Sequence, residues 1–338
     1  MSLTSKSPRK VILVALAVGK QSFPDYSHPC SPRVFTQPQL FGCLVLMVFL
    51  RTDYRGVEEH IRDFVAIREW LGLSRTPDHS TLHKAARRFF GAAIGEELLA
   101  QTIRLFMSGP RRKLVRRAAA DSTGLQTGHR SAYFVRRKAR GQKKAKNPLF
   151  VTTTYTRYPK LTFLIDCASH LILSLKTGTG PRPDSDELAD LLAGIPRGLT
   201  LLSLVADAGF DSEPNHRLCR DEHGIRSLMP ATHGRPSKNG KPPTGYWRRR
   251  MRSLLATKRK RRRCGYTQRW QAETVVSMIK RNLGEELSGR TRHSRNRQMR
   301  LLVIVHNIMI VLFIRRVFDG AKSTRFLEIV YNYTITCY

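Results

Sequence analysis

Two aspartates of the chain stand where apolar runs of sequence give way to turn-forming residues. Asp121 follows AAA and precedes STG, and Asp207 follows LLSLVA and precedes AG. Runs of this kind predict strands that end in turns. Two carboxylates at the ends of neighbouring strands can converge, and their oxygens are the donors that Mg²⁺ prefers. Taken singly, an aspartate in this position is more often a turn former than a metal ligand.

A third carboxylate belongs to a polar stripe further along the chain. Its members are 3, 4 and 7 positions apart, which places them within about 60° of one another on an α-helix: Tyr266, Arg269, Glu273 and Lys280. Apolar residues occupy the adjoining arc and predict the face that packs on a sheet: Ala272, Val275, Val276, Ile279 and Leu283. Glu273 is therefore expected at the border of core and solvent, where it can reach a metal ion. The alternative is an ordinary amphipathic helix with an Arg269–Glu273 ion pair.

The stripe reads YTQRWQAETVVSMIK and fits the pattern Y-x2-R-x3-E-x6-K. Together with the segments ADSTGL and VADAGFD, it resembles the DDE transposases of bacterial insertion sequences. The resemblance covers about residues 111–315, with a weaker similarity over 54–90. It implies an RNase H-like fold with Asp121 on the first strand, Asp207 after the fourth and Glu273 on a late helix. It also implies that three residues contact DNA phosphates near the element end: Tyr266, Arg269 and Lys280.

On this resemblance we predict a transposase that binds the ends of an insertion sequence and catalyses strand cleavage and strand transfer. Asp121, Asp207 and Glu273 are expected to be catalytic and to hold two Mg²⁺ ions, for which Mn²⁺ could substitute. A homodimer on DNA is expected because two element ends have to be paired. Two alternatives stay open: a metal-dependent DNA nuclease without strand transfer, and a catalytically inactive DNA-binding relative.

The charge balance indicates the kind of partner. The chain has 60 Lys and Arg against 25 Asp and Glu, a formal charge of +35, so a polyanion is expected. Double-stranded DNA fits the resemblance, whereas charge alone would also allow RNA or a membrane surface. The apolar runs at 11–18, 40–50 and 301–314 are shorter than the roughly 18 residues that suggest a membrane span. We therefore expect no membrane association and a cytoplasmic, nucleoid-associated protein.

A basic insertion loop is expected at residues 232–264. Its part from Arg235 to Arg263 holds thirteen Lys and Arg and no Asp or Glu. Such a segment can follow a phosphate backbone, and an aromatic ring within it can stack on unpaired bases. The residues expected to contact DNA here are Trp247, Arg248, Arg249 and Arg250. The alternative is a disordered, solvated insertion.

Prolines and the lack of a sustained hydrophobic period predict a poorly defined arm at residues 1–35. Residues 36–108 show helical periodicity and predict a DNA-binding helical domain. A later helix in it carries Lys84, Arg87 and Arg88, as in a helix-turn-helix, although an ordinary helical bundle with a basic face is the alternative.

Residues 109–317 alternate between strand-like and helical segments and predict an α/β domain with a mixed sheet flanked by helices. Helices at 267–287 and 297–317 are expected to close it, and residues 318–338 form a tail whose structure the sequence leaves open. Four other aspartates rank below the three carboxylates as ligands, because they look like turn, helix-start or helix-cap residues: Asp166, Asp184, Asp186 and Asp211.

Overall fold

The structure is a computed structural model that describes residues 4–107, 113–127, 157–231 and 243–318. The expected tail beyond residue 318 and the first part of the expected basic loop, residues 232–242, lie outside these ranges.

The N-terminal region is helical. Its helices are α1 (Pro8–Ser22), α2 (Gln37–Phe49), α3 (Tyr54–Asp63), α4 (Val65–Leu71), α5 (His79–Phe89) and α6 (Ala92–Phe106). Polar side chains fix where several of them begin. Thr36 and Gln39 form a reciprocal capping box at the start of α2, and Asp78 accepts a hydrogen bond from the Ser80 amide at the start of α5.

Helix α1 corrects the expectation of a loosely defined N-terminal arm. Val11, Ile12 and Val18 are fully buried, and the helix packs against α2, α4 and α6. The expected arm is wrong for residues 8–22. A helix that is apolar nearly all round belongs in a core and shows no amphipathic period, which is why the sequence pattern missed it.

A five-stranded mixed sheet carries the α/β region. Its strands are β2 (Ala118–Gly124), β4 (Tyr158–Asp166), β5 (Ile172–Gly180), β7 (Ser203–Ala206) and β8 (Arg226–Leu228), in the spatial order β5–β4–β2–β7–β8. Strand β4 runs antiparallel to β2 and β5, whereas β7 runs parallel to β2 and β8. This arrangement confirms the predicted RNase H-like mixed sheet.

Two short strand pairs extend the sheet region, β1 (Leu114–Val115) with β6 (Thr200–Leu201) and β3 (Gln126–Thr127) with β9 (Glu286–Leu287). The later helices are α7 (Leu188–Ala193), α8 (Glu213–Arg217), α9 (Tyr246–Leu254), α10 (Lys258–Cys264), α11 (Trp270–Leu283) and α12 (Arg292–Phe318). The last two confirm the expected closing helices. Across the described ranges, no helix is both long and apolar enough to cross a membrane.

The described part of the expected basic loop is helical, which corrects that expectation. Helices α9 and α10 occupy it, and the Thr257 side chain caps α10 by accepting from the Lys260 amide. Arginine and lysine are good helix formers, so a run of them needs only a cap and a stop. Gly265, with φ of 79°, supplies the stop.

One hydrophobic core joins the helical region to the sheet. It includes Phe41 and Leu98 from the helices, Phe163 from β4, and Val303 from α12. Polar groups on α12 fix its position, because the Asn307 side chain accepts from the Ile172 amide and donates to the Ile172 carbonyl, both at 2.9 Å. The helical region and the α/β region are therefore packed as one body.

Candidate active site

The strand register brings Asp121 and Asp207 side by side. Strands β2 and β7 are parallel, with Ala118 opposite Leu204 and Ala120 opposite Ala206. The next residue on each strand is an aspartate. Adjacent strands lie about 4.8 Å apart, so the two aspartates are neighbours. Asp207 directly follows the end of β7, whereas Asp121 lies in the middle of β2, which continues to Gly124.

Local backbone groups orient both aspartates. Asp121 Oδ1 accepts a hydrogen bond of 2.8 Å from the Ser122 amide, and Asp207 Oδ1 accepts one of the same length from the Gly209 amide. A Cβ on Gly209 would lie 3.0 Å from Asp207 Oδ1 and 3.1 Å from Asp184 Oδ2, which is tighter than most real contacts. Glycine at this turn therefore lets the backbone approach the carboxylate.

Glu273 comes from the first turn of α11, which packs on β2 through a buried apolar face that includes Ala272 and Val275. Arg269 Nη2 donates to Glu273 Oε1. The Glu273 side chain is 56% exposed and that of Arg269 is 28% exposed, so this pair lies at the mouth of the site.

The pKa of Asp121 shows that the three carboxylates share one electrostatic neighbourhood. Burial raises the pKa of Asp121 from 3.8 to about 6; the Ser122 amide opposes this, and the charges of Asp207 and Glu273 raise it further. The Arg269 charge acts in the opposite direction. Within the described residues, the oxygens of the three side chains do not all lie within 4.8 Å of one another.

The donor chemistry of the site fits a hard divalent cation. All three ligand candidates offer oxygen, Asp121 and Asp207 are partly withdrawn from water, and Arg269 pairs with Glu273 and opposes the negative charge at Asp121. Oxygen donors of this kind suit Mg²⁺ or Mn²⁺, whereas soft metals prefer thiolates.

The chain matches a known protein family. The family described as the transposase DDE domain matches residues 115–308, more than half of the chain, and this range holds all three carboxylates. The chain belongs to the DDE transposase family. The family generally uses divalent metal ions.

Comparison with solved structures and curated proteins adds two findings. The transposase is similar to a chain of a piggyBac transposase synaptic complex with hairpin DNA, solved by cryo-electron microscopy, with 9% identity over 97% of this chain and 77% of the other and a TM-score of 0.44. No curated protein matches the chain.

The polar stripe of the transposase is not a single α-helical face. Tyr266–Arg269 forms a 3₁₀ turn, and α11 begins only at Trp270, because Gly265 has just ended α10 in a left-handed conformation. The assumption of one continuous helix was therefore wrong in its first turn. Arg269 nevertheless reaches Glu273.

The other members of the stripe lie at different distances from the carboxylates. Burial raises the pKa of Tyr266; Arg269 opposes this and the Asp207 charge adds to it, so the phenol is close to the site. Lys280 lies two turns further along α11 and pairs with Glu285 at 3.6 Å. The structure does not bring Lys280 to the carboxylates.

Helix α9 divides the four residues expected to contact DNA into different environments. The Trp247 ring lies between the guanidinium groups of Arg220 at 4.2 Å and Arg250 at 5.7 Å. Arg249 and Arg250 are exposed. Arg248 instead donates through Nε to the fully buried side chain of Asp211 at 2.9 Å, so its position favours a structural role over the expected phosphate contact.

Asp211 is a residue whose role the sequence pattern missed. It was expected to cap α8, but Ser212 is the cap and accepts from the Asn215 amide. Asp211 also lies 3.4 Å from His216 Nε2, and His216 Nδ1 shares a 2.8 Å hydrogen bond with Ser227 Oγ. This buried network connects the turn after Asp207 to α9, and no local signal reveals a partner 37 positions away.

The other aspartates that were ranked lower have partners of their own. Asp166 accepts from the Ser169 amide and hydroxyl in the β4–β5 turn. Asp184 Oδ1 lies 2.5 Å from Nζ of the buried Lys160, and Glu187 Oε2 lies 3.4 Å from the same nitrogen. Thr162 adds a hydrogen bond to Glu187.

The three basic residues of α5 are exposed, and two of them line different cavities. Arg87 lines a cleft beside the start of α12, whereas Arg88 lines another cavity together with Arg75. Lys84 lines neither of these two cavities. DNA reading by a helix-turn-helix here stays a prediction.

Proposed function

We propose that this transposase binds the ends of an insertion sequence and catalyses DNA strand cleavage and strand transfer at the site of Asp121, Asp207 and Glu273. The observation that carries the proposal is the register of the two aspartates on parallel strands, with Glu273 facing them from α11. The resulting negative site lies among strongly basic helices, as a site that acts on a polyanion requires.

Asp121, Asp207 and Glu273 would hold two divalent ions, Mg²⁺ or Mn²⁺. Such ions activate an attacking oxygen and stabilise a leaving oxygen in phosphoryl transfer. The residues of the chain prepare the site: the amides of Ser122 and Gly209 orient the aspartates, and Arg269 holds Glu273 at the mouth. Partial burial of Asp121 keeps water from screening the charges that meet there.

A basic cleft beside Glu273 is suited to guiding a DNA backbone to the carboxylates. It has a volume of about 420 Å³, and none of its described lining residues is acidic. The lining residues are Lys258, Arg261, Arg262, Tyr266, Thr267, Arg269 and Trp270. Arginine can grip a phosphate through two parallel hydrogen bonds. Arg249 and Arg250 would extend this surface along α9, with half-buried Trp247 beside them.

The test is a joining reaction with labelled duplexes that carry the DNA flanking the coding region, a supercoiled plasmid as target, and Mg²⁺. We expect cleavage at the element end and covalent joining of the label to the plasmid. Cleavage without joining would identify a nuclease instead. Specific binding without cleavage in either Mg²⁺ or Mn²⁺ would identify an inactive DNA-binding relative, and both results overturn the proposal.

The assembly and location follow from the same proposal. Two element ends have to be held together, so the active form is expected to be a homodimer on double-stranded DNA in the cytoplasm, at the nucleoid. Light scattering of the complex with end DNA should give two protein chains and two duplexes, and one chain on one duplex at saturation would contradict this.

A further inference from the structure

A second basic cleft lies between α5 and the start of α12. It has a volume of about 600 Å³ and is lined by Tyr54, His83 and Arg87 on one side, and by Arg290, His293 and Arg297 on the other. Neither an aspartate nor a glutamate is among its described lining residues. We infer that this cleft holds the sugar–phosphate backbone of duplex DNA, as a second grip separate from the carboxylates; this rests on the proposed function.

In the part of the chain that the structure describes, no carboxylate lies within 4.0 Å of Arg87, Arg290 or Arg297, so the described residues supply no counter-charge to the three arginines. The charge of Arg297 also reaches Tyr54, whose pKa burial raises and Arg297 lowers. Cations that converge on one cleft repel one another, and a bound polyanion would relieve that repulsion.

The loop that carries Arg290 is held in place by its own hydrogen bonds. The Gly289 amide donates to Gln298 Oε1 at 2.9 Å, and Arg295 Nε donates to the Gly289 carbonyl at 2.8 Å. A Cβ on Gly289 would lie 2.7 Å from Ser294 Oγ, so only glycine allows this close turn. The cleft is thus a built surface rather than a chance gathering of mobile side chains.

The lining favours double-stranded over single-stranded nucleic acid. Single strands are usually held by aromatic rings that stack on bases, but the aromatic residues in this cleft are half-buried Tyr54 and fully buried Phe90. The Tyr54 ring meets the His83 ring edge-on at 5.5 Å. Arginines without a stacking platform suit the phosphates of a duplex.

The test compares two triple variants that each remove three positive charges. The cleft variant is Arg87→Gln, Arg290→Gln and Arg297→Gln. The matched control is Lys113→Gln, Arg197→Gln and Arg226→Gln, three exposed residues that do not line the cleft. Affinity for a duplex of about 30 base pairs is measured by titration between 50 and 200 mM salt, and thermal unfolding checks the fold.

We expect the cleft variant to lose about 10- to 100-fold in duplex affinity, with a salt slope smaller by about 3, since each lost phosphate contact reduces the slope by about 0.9. The control should stay within about threefold of wild type. A matching Arg→Lys triple variant should keep most of the slope, which separates lost charge from lost fold.

Equal losses in the cleft and control variants would overturn the inference, as would a larger loss for single-stranded DNA or RNA than for duplex DNA. An unchanged salt slope in the cleft variant, with end cleavage intact, would overturn the second grip while leaving the proposed function in place. A wild-type protein that binds and cleaves no DNA would overturn both.

Discussion

Two groups of acidic side chains lie close to the same sheet and differ in how their charge is balanced. Asp184 and Glu187 share the ammonium group of Lys160, which is 3% exposed, and Thr162 adds a hydrogen bond. Asp121 and Asp207 have no such cation within 4.0 Å in the described parts of the chain. Instead, Asp121 accepts a hydrogen bond from the Ser122 amide within β2, and Asp207 accepts one from the Gly209 amide in the turn that follows β7.

The difference separates structural from functional acids. A buried carboxylate with a complete set of internal partners contributes to the fold and has nothing left to offer a ligand. Carboxylates that crowd together without an internal cation destabilise the fold, and such strain persists at sites that bind something else.

The largest effect is expected when a carboxylate of the candidate site is neutralised. Asp121→Asn, Asp207→Asn and Glu273→Gln should each lower strand cleavage by about 10³-fold or more, because metal ions supply several kcal/mol of transition-state stabilisation. DNA affinity should stay within about threefold. Cleavage is measured on labelled end DNA, with the exposed acid variant Asp190→Asn as control. Cleavage near the wild-type rate by any of the three variants would contradict the assignment of the site.

The next largest effect concerns Asp184 and Glu187, whose charge is balanced by Lys160. Lys160→Met should lower the free energy of unfolding by about 3–5 kcal/mol, because it leaves buried carboxylates without their cation. Its matched control is Lys176→Met, which breaks the exposed Lys176–Asp190 pair and should cost less than about 1 kcal/mol. Urea unfolding measures both. Equal costs would show that Lys160 is not the counter-charge that the geometry indicates.

For the crowded group, Asp121 and Asp207, removing a charge should raise the free energy of unfolding instead of lowering it. The pKa of Asp121 is raised in the folded protein, so the folded state holds the proton more tightly and stability falls as pH rises from about 4 to about 6. At neutral pH the raised pKa lowers the free energy of unfolding by about 1–3 kcal/mol, because each pKa unit corresponds to about 1.4 kcal/mol.

Asp121→Asn should therefore raise the free energy of unfolding at pH 7 and flatten this part of the pH profile. Mg²⁺ should stabilise the wild type at pH 7 and leave the variant nearly unaffected. A variant that is less stable than the wild type at pH 7 would contradict the idea that Asp121 is destabilised by its neighbours.

The smallest effect extends the comparison to cations. Arg249 has no carboxylate partner among the described residues, whereas Arg248 is paired with buried Asp211. Arg249→Gln should weaken DNA binding a few-fold and lower the salt slope by about 1. Arg248→Gln should lower stability and leave the slope unchanged. Salt titrations with a duplex measure the slopes. A smaller slope for Arg248→Gln and an unchanged slope for Arg249→Gln would show that pairing with a carboxylate does not separate structural from DNA-binding arginines.

The sequence predicted the parts of this molecule that depend on local pattern. The apolar run before Asp207 placed it correctly at the end of β7, and the apolar arc of residues 272–283 predicted the packed face of α11. The expected strand end at Asp121 was wrong, because β2 continues to Gly124. The order of the segments and the resemblance to a family predicted the mixed sheet. These features depend on residues that lie close together in the sequence, so the sequence pattern predicts them.

The remaining features depend on tertiary contacts. Helix α1 has no amphipathic period because the core surrounds it. Asp184 lies 24 positions from Lys160, and Arg248 lies 37 positions from Asp211. Pairings at that range are set by the fold as a whole, and no spacing rule reveals them.

Helix α12 joins the second basic cleft to the sheet. Arg297 lies in the cleft, Asn307 holds both backbone groups of Ile172, and about 15 Å of helix separates the two. The helix cannot slide or turn without breaking those bonds. DNA that occupied both the cleft and the carboxylate edge would be cut a constant number of base pairs from the point where it is gripped. The fold would then act as a molecular ruler, and lengthening α12 by one turn would move the cut.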